Sequence, residues 1–95
     1  MGRRSYQEQI IEFAQRFQSI KSVYIKYLKG ASSITGHWME ADRPCELCGS
    51  EKPKYLYALL CDGQLYLVGQ NCYKQIEKMP NFHYSDKLIE LGRGQ

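Results

Sequence analysis

The amino-acid sequence predicts a small α+β domain in which a long N-terminal helix packs on a compact module built around a β-hairpin. Apolar residues recur at helical spacing through the first 30 residues, which predicts the helix. Two runs rich in tyrosine and leucine flank an Asp-Gly pair, which predicts the hairpin. A chain of 95 residues suffices for one domain with a modest core, so residues 1–95 are expected to form a single domain.

The predicted N-terminal helix spans residues 1–30 and is amphipathic. Ser5 and Glu8 have the spacing of a capping box, and Gly30 suits the C-terminal end of a helix. Such a helix would bury an apolar stripe against the domain or, alternatively, present it to a partner protein or a second copy of the chain. The stripe consists of Tyr6, Ile10, Phe13, Phe17, Ile20, Tyr24 and either Tyr27 or Leu28.

Residues 44–79 predict a module made of a turn, a hairpin and a short helix. Two strand-like runs, 55–61 and 64–68, flank Asp62-Gly63, a pair that favours a type I′ turn. A helix is expected to begin near Cys72 and to end before Pro80. A further short helix is predicted over residues 85–91, capped by Ser85.

Three cysteines have the spacing of a zinc site. Cys45 and Cys48 belong to a Cys-x-x-Cys-Gly turn, which brings two thiolates to one ion, and Cys72 follows the hairpin. The sequence has no signal peptide and no apolar run long enough to span a membrane, so we expect a cytoplasmic protein without a membrane partner. Because thiols stay reduced there, the cysteines favour one structural Zn²⁺ over disulfides.

The fourth zinc ligand is assigned to either His37 or Cys61. Composition favours Cys61, because four cysteines would fill four places, but the hairpin would hold it roughly 20 Å from the other three. His37 precedes the Cys-x-x-Cys turn and could return beside the hairpin to supply a nitrogen. His83 lies beyond the helix and is a poorer candidate, and Asp42 or a water molecule is a further possibility.

The order of turn, hairpin and cysteine-bearing helix resembles the treble-clef zinc finger over residues 45–79. In its commonest form that helix begins with Cys-x-x-Cys, whereas Gly69-x-x-Cys72 stands here. The same stretches are similar to those of small, mostly uncharacterised proteins of phages and mobile elements. This resemblance implies a zinc-binding fold, a host-cell cytoplasmic location if the chain is phage-encoded, and a protein that blocks or redirects a host enzyme.

The motifs do not predict an enzyme. Catalytic zinc sites usually include histidine or carboxylate ligands with a general base nearby, and the sequence has no His-Glu pair at such a spacing. His37 is followed by Trp-Met-Glu, which lacks the His-x-Glu of zinc deaminases. A treble-clef nuclease would carry a histidine in the hairpin, and residues 55–68 contain none. We therefore expect a binding function.

Two kinds of partner are predicted. Basic residues near the cysteines favour a regulatory module that acts on nucleic acid or its machinery, although a net charge of +3 is too small to establish this alone. Alternatively, the protein inhibits or redirects a host protein through Phe13, Phe17 and Tyr24, a surface that could also form a homodimer. The candidate phosphate-binding residues are Arg43, Lys52, Lys54, Lys74 and Lys78.

Overall fold

The computed structural model describes residues 5–91 as a mostly β structure with two short helices. The described strands belong to one six-stranded sheet, which is antiparallel except where β6 pairs with β1. The elements in chain order are α1 (Tyr6–Gln15), β1 (Ile20–Lys29), β2 (Ser32–Gly36), β3 (Trp38–Glu40), β4 (Tyr55–Cys61), β5 (Gln64–Gly69), α2 (Gln70–Ile76) and β6 (Phe82–Glu90).

Strand β1 is the centre of the sheet. Its residues 20–22 pair with both β4 and β6, and its residues 25–26 pair with both β2 and β6. One edge of β1 is therefore occupied by β6, and the other is occupied first by β4 and then by β2. Strand β4 is flanked in the same way, by β5 on one edge and by β3 and then β1 on the other.

The predicted fold class, a long N-terminal helix on a separate zinc module, is wrong. Residues 44–79 contain the predicted turn, hairpin and helix, but β4 of that hairpin also pairs with β1 and β3. The hairpin is thus part of a sheet that extends through most of the described chain. The predicted strands are confirmed as local elements, and their assignment to an independent module is not.

The helix predicted over residues 1–30 is wrong beyond Gln15, and residues 1–4 lie outside those described. Its start is confirmed, because the Ser5 hydroxyl accepts from the Glu8 N–H at 3.1 Å and the Glu8 carboxylate accepts from the Ser5 N–H at 3.0 Å. Residues 20–29 form β1 instead. This segment is rich in β-branched and aromatic residues, which favour a strand, and its apolar spacing fits both a helix and a strand.

Two side chains from distant segments hold the chain where α1 ends. The Asn81 amide donates to the carbonyl oxygens of Ala14 at 3.0 Å and Phe17 at 2.9 Å. The Asp62 carboxylate accepts from the N–H groups of residues 18 and 19 at 3.0–3.1 Å. These hydrogen bonds satisfy backbone C=O and N–H groups that would otherwise bond within a longer helix. They therefore stabilise the end of the helix and the start of the strand that follows.

The short helix predicted over residues 85–91 is also wrong, because Phe82–Glu90 form β6. The Ser85 hydroxyl accepts from the Lys87 N–H at 3.1 Å, so Ser85 makes a local bond of the kind that suggested a helix cap. That bond lies at an irregularity in the pairing of β6 with β1. An advance of two residues along β1, from Ser22 to Tyr24, corresponds there to an advance of four residues along β6. Pairing with β1 has therefore overridden a weak local helix signal.

The hairpin turn is confirmed. Cys61 pairs with Gln64, and Asp62 and Gly63 adopt positive φ angles of 49° and 88°, as a two-residue type I′ turn requires. Both helices pack beside this hairpin, in a core cluster that includes Phe13 of α1, Cys72 of α2 and Val68 of β5. Neither helix among the described residues is long and apolar enough to cross a membrane.

Candidate metal centre

Three cysteine side chains converge where the Cys-x-x-Cys turn meets the start of α2. The Sγ atoms of Cys45, Cys48 and Cys72 all lie within 4.8 Å of one another. The turn closes through the Gly49 N–H, which donates to the Cys45 carbonyl oxygen at 2.9 Å, and Gly49 has a positive φ of 79°. The structure thus brings together the three cysteines that the sequence singled out, and the group could hold a metal ion.

The sulfur spacing fits a tetrahedral metal better than a disulfide. The Sγ atoms of Cys45 and Cys72 are 3.7 Å apart, and all four cysteines are free. Two thiolates on a tetrahedral zinc ion, each about 2.3 Å from the metal, are about 3.8 Å apart. A disulfide would need about 2.05 Å, so the pair is spaced for coordination without a bond between the sulfurs.

Backbone and side-chain donors surround the sulfurs. The Cys45 Sγ accepts from the N–H groups of Gly69 at 3.1 Å and Leu47 at 3.4 Å. The Tyr6 hydroxyl donates to the Cys72 Sγ at 3.2 Å, although the two residues are 66 positions apart in sequence. These donors favour thiolate over thiol, and the Tyr6 bond also ties the first turn of α1 to the cysteine group.

The cysteine pair shares one proton in the metal-free protein. The hydrogen bond with Cys72 is the main cause that lowers the pKa of Cys45 to about 4, and backbone N–H donors lower it further. The same hydrogen bond, followed by burial, holds the pKa of Cys72 well above its usual value. At neutral pH the pair therefore keeps one of its two protons, which has to be released before both sulfurs can bind a metal.

Metal affinity is expected to rise about tenfold or more for each pH unit between about pH 6 and 8. The Cys45–Cys72 pair keeps one proton in this range and releases it on coordination. Competition with a chromophoric chelator at several pH values, corrected for the chelator's own protonation, measures the slope. A pH-independent affinity would contradict the presence of this shared proton.

Neither candidate for the fourth ligand belongs to the cysteine group. Cys61 is fully buried in the hairpin beside the turn, where burial raises its pKa to about 12. His37 lies between β2 and β3, with its Nδ1 3.2 Å from the Val23 carbonyl oxygen and its ring stacked on Tyr24 at 4.1 Å. Within residues 5–91, no fourth histidine, cysteine or carboxylate side chain joins the three cysteines.

Three of the predicted basic residues surround the cysteine group. The cysteines line a pocket of about 640 Å³, and the walls of the same pocket include Lys52, Lys54 and Lys74. Lys78 is exposed in the turn that follows α2. Arg43 is instead bound to Asp42, with its Nε 2.8 Å from one carboxylate oxygen and its Nη2 3.2 Å from the other. The neighbouring carboxylate therefore offsets much of the charge of Arg43.

Of the three residues predicted to bind a protein partner, one is buried and two are half-buried. Phe13 is 4% exposed and contacts the rings of Phe17 and Tyr66, with centroids 5.2 and 5.3 Å away. Phe17 and Tyr24 are half-buried, and Tyr24 lies on β1 rather than on the helix. The three side chains therefore do not form one exposed helical surface.

Sequence reasoning does not assign Tyr6 and Gly69 to the site. Tyr6 belongs to the predicted apolar stripe, but nothing local indicates that its hydroxyl reaches a cysteine. Gly69 stands out in the sequence only because it occupies the place of a second helix cysteine. Its N–H nevertheless makes the shortest backbone hydrogen bond to the Cys45 Sγ. The Gly-x-x-Cys spacing is the one available signal, since it places that N–H one turn before Cys72.

Comparison of the chain with protein-family models, with curated proteins and with solved structures gave no match.

Proposed function

We propose that the protein is a small zinc-binding module that acts by binding nucleic acid. Cys45, Cys48 and Cys72 would hold one structural Zn²⁺. The sulfur spacing of 3.7 Å supports a tetrahedral ion, and thiolate ligands favour zinc over the hard cations Mg²⁺ and Ca²⁺. The zinc ion would join the loop before β4 to α2, and through Tyr6 it would also stabilise the packing of α1.

The observation that carries the nucleic-acid proposal is the pocket shared by the cysteines and three lysines. Lys52 and Lys54 come from the loop before β4, and Lys74 comes from α2. All three side chains are exposed, so their ammonium groups can contact a phosphate backbone. The zinc ion would fix the loop and the helix relative to each other, and hence the spacing of the three charges.

An aromatic pair made of exposed Trp38 and half-buried Tyr55 adds to this support. Trp38 is 43% exposed and its ring contacts that of Tyr55 at 4.6 Å, next in sequence to Lys54. Aromatic rings beside cations are a common way to bind single-stranded nucleic acid, because every base can stack on them. The alternative of a host-protein inhibitor has less support, because Phe13 and Phe17 pack against Tyr66 rather than forming an exposed surface.

Reversing two charges at the pocket is expected to remove most of the nucleic-acid affinity. For wild type, log affinity for labelled DNA or RNA should fall linearly with log salt. In the variant with Lys54→Glu and Lys74→Glu, the salt slope should be smaller by about two, because two fewer phosphate groups are neutralised by the protein. Fluorescence anisotropy over a salt series measures both quantities, and native mass spectrometry checks that the variant retains its zinc.

The matched control changes the net charge of the protein by the same amount, but outside the pocket. Lys21 and Lys87 are exposed on β1 and β6, and neither lines the pocket, so Lys21→Glu with Lys87→Glu should leave most of the affinity. An equal loss in both double variants would mean that net charge alone matters. Wild type that binds neither DNA nor RNA at low salt would overturn the proposal and favour a protein partner.

A further inference from the structure

We infer that the fourth coordination position of the metal faces the lysine-lined pocket and binds the phosphate group of a phosphate monoester, such as the phosphorylated end of a nucleic acid strand. This inference rests on the zinc and nucleic-acid binding proposed above. It adds a preference for a terminal phosphate over the phosphates of the backbone. Zinc binding and nucleic-acid binding do not require this preference, because a closed zinc site beside a lysine surface would bind backbone phosphates as well as a terminal one.

Residues 5–91 offer the metal three strong ligands and no fourth. Within residues 5–91, the metal-binding group is limited to three cysteines. The remaining residues of the sequence, 1–4 and 92–95, contain no histidine, cysteine, aspartate or glutamate. The Tyr6 hydroxyl is near, but it already donates to the Cys72 sulfur. A zinc ion with three protein ligands keeps its fourth position for an external ligand.

The fourth position of a metal held by these cysteines would open into the pocket. All three cysteines line it, and Cys45 and Cys72 are only 3% and 2% exposed. The rest of the lining has no carboxylate and no imidazole that could close the site. A volume of about 640 Å³ accommodates more than a single water molecule or a bare anion.

The net charge of the pocket suits a phosphate dianion. Three thiolates and one zinc ion together carry a single negative charge, whereas Lys52, Lys54 and Lys74 carry three positive charges around them. The pocket would therefore have two positive charges in excess, which matches the dianion of a phosphate monoester better than the monoanion of a backbone diester. Lysine ammonium groups are common phosphate ligands, and one phosphate oxygen could reach the metal while the others contact the lysines.

Cobalt substitution tests this directly, since the visible bands of tetrahedral Co²⁺ change with the fourth ligand. Inorganic phosphate should shift these bands in the Co²⁺-loaded protein. A short oligonucleotide with a terminal phosphate should produce the same shift at lower concentration, and the oligonucleotide without it should produce none. Lys54→Gln or Lys74→Gln should weaken phosphate binding about tenfold, whereas Lys21→Gln should not.

Gly69→Cys provides a second variant that closes the position. A Cβ at residue 69 would lie 3.8 Å from the Cys45 Sγ without a steric clash, so the new thiolate can reach the metal. The Co²⁺ spectrum should then gain sulfur charge-transfer intensity, and its response to phosphate should disappear.

Two outcomes would overturn the inference. One is a Co²⁺ spectrum that does not respond to phosphate, and the other is equal affinity for oligonucleotides with and without the terminal phosphate. If either occurs while metal and DNA binding persist, the proposed function stands and only the inference falls. A chain that takes up no Co²⁺ or Zn²⁺ would overturn both.

Discussion

Cys72→Ser is expected to abolish zinc binding and to remove most of the protein's stability. Cys72 is the only cysteine of the group that comes from α2, so its loss leaves two thiolates on one loop. Structural zinc contributes about 10–16 kcal/mol to the folding of zinc-finger peptides, whereas the net stability of a small domain is about 5–15 kcal/mol. Native mass spectrometry and urea unfolding of protein purified without chelators measure the two effects.

The other cysteine and the histidine near the hairpin are the controls for this experiment. Cys61→Ala removes a buried thiol outside the metal group, and we expect a loss of about 0.5–3 kcal/mol with one zinc retained. His37→Ala should also retain the zinc, because its ring contacts Val23 and Tyr24 instead. Loss of metal from either control, or a wild-type protein that binds no zinc, would contradict the assignment of the site.

The sequence predicted those parts of the site whose information is local. The Cys-x-x-Cys-Gly spacing requires a turn, and Gly49 indeed has the positive φ that closes it. Asp62-Gly63 likewise predicted the hairpin register through two residues that tolerate positive φ. The expectation that Cys61 lies far from the other cysteines followed from this register, and Cys61 is indeed absent from the group.

The fold as a whole could not be predicted in this way, because β1 depends on distant partners. Residues 20–29 carry apolar spacing that suits a helix, but β2, β4 and β6 all pair with them. Strand β6 lies about 60 positions further along the chain, and its own local signal favoured a short helix. The pocket was missed for the same reason, since Tyr6, Lys54 and Cys72 meet only when three distant segments are folded together.

Phe13→Ala is expected to cost about 3–5 kcal/mol of stability, a large fraction of the total for a chain of this size. The ring is 4% exposed and contacts Phe17 and Tyr66, so its removal leaves a cavity between α1 and β5. Ile11 on the same helix is 41% exposed, and Ile11→Ala should change the free energy of unfolding by only about 0.5 kcal/mol. Urea unfolding of the zinc-loaded proteins compares the two.

The opposite pattern, a small cost for Phe13→Ala with a change in oligomeric state by size-exclusion chromatography, would mean that this face of α1 is an interface between chains. A large cost with an unchanged oligomeric state would establish that α1 contributes to the core that holds Cys72 in place.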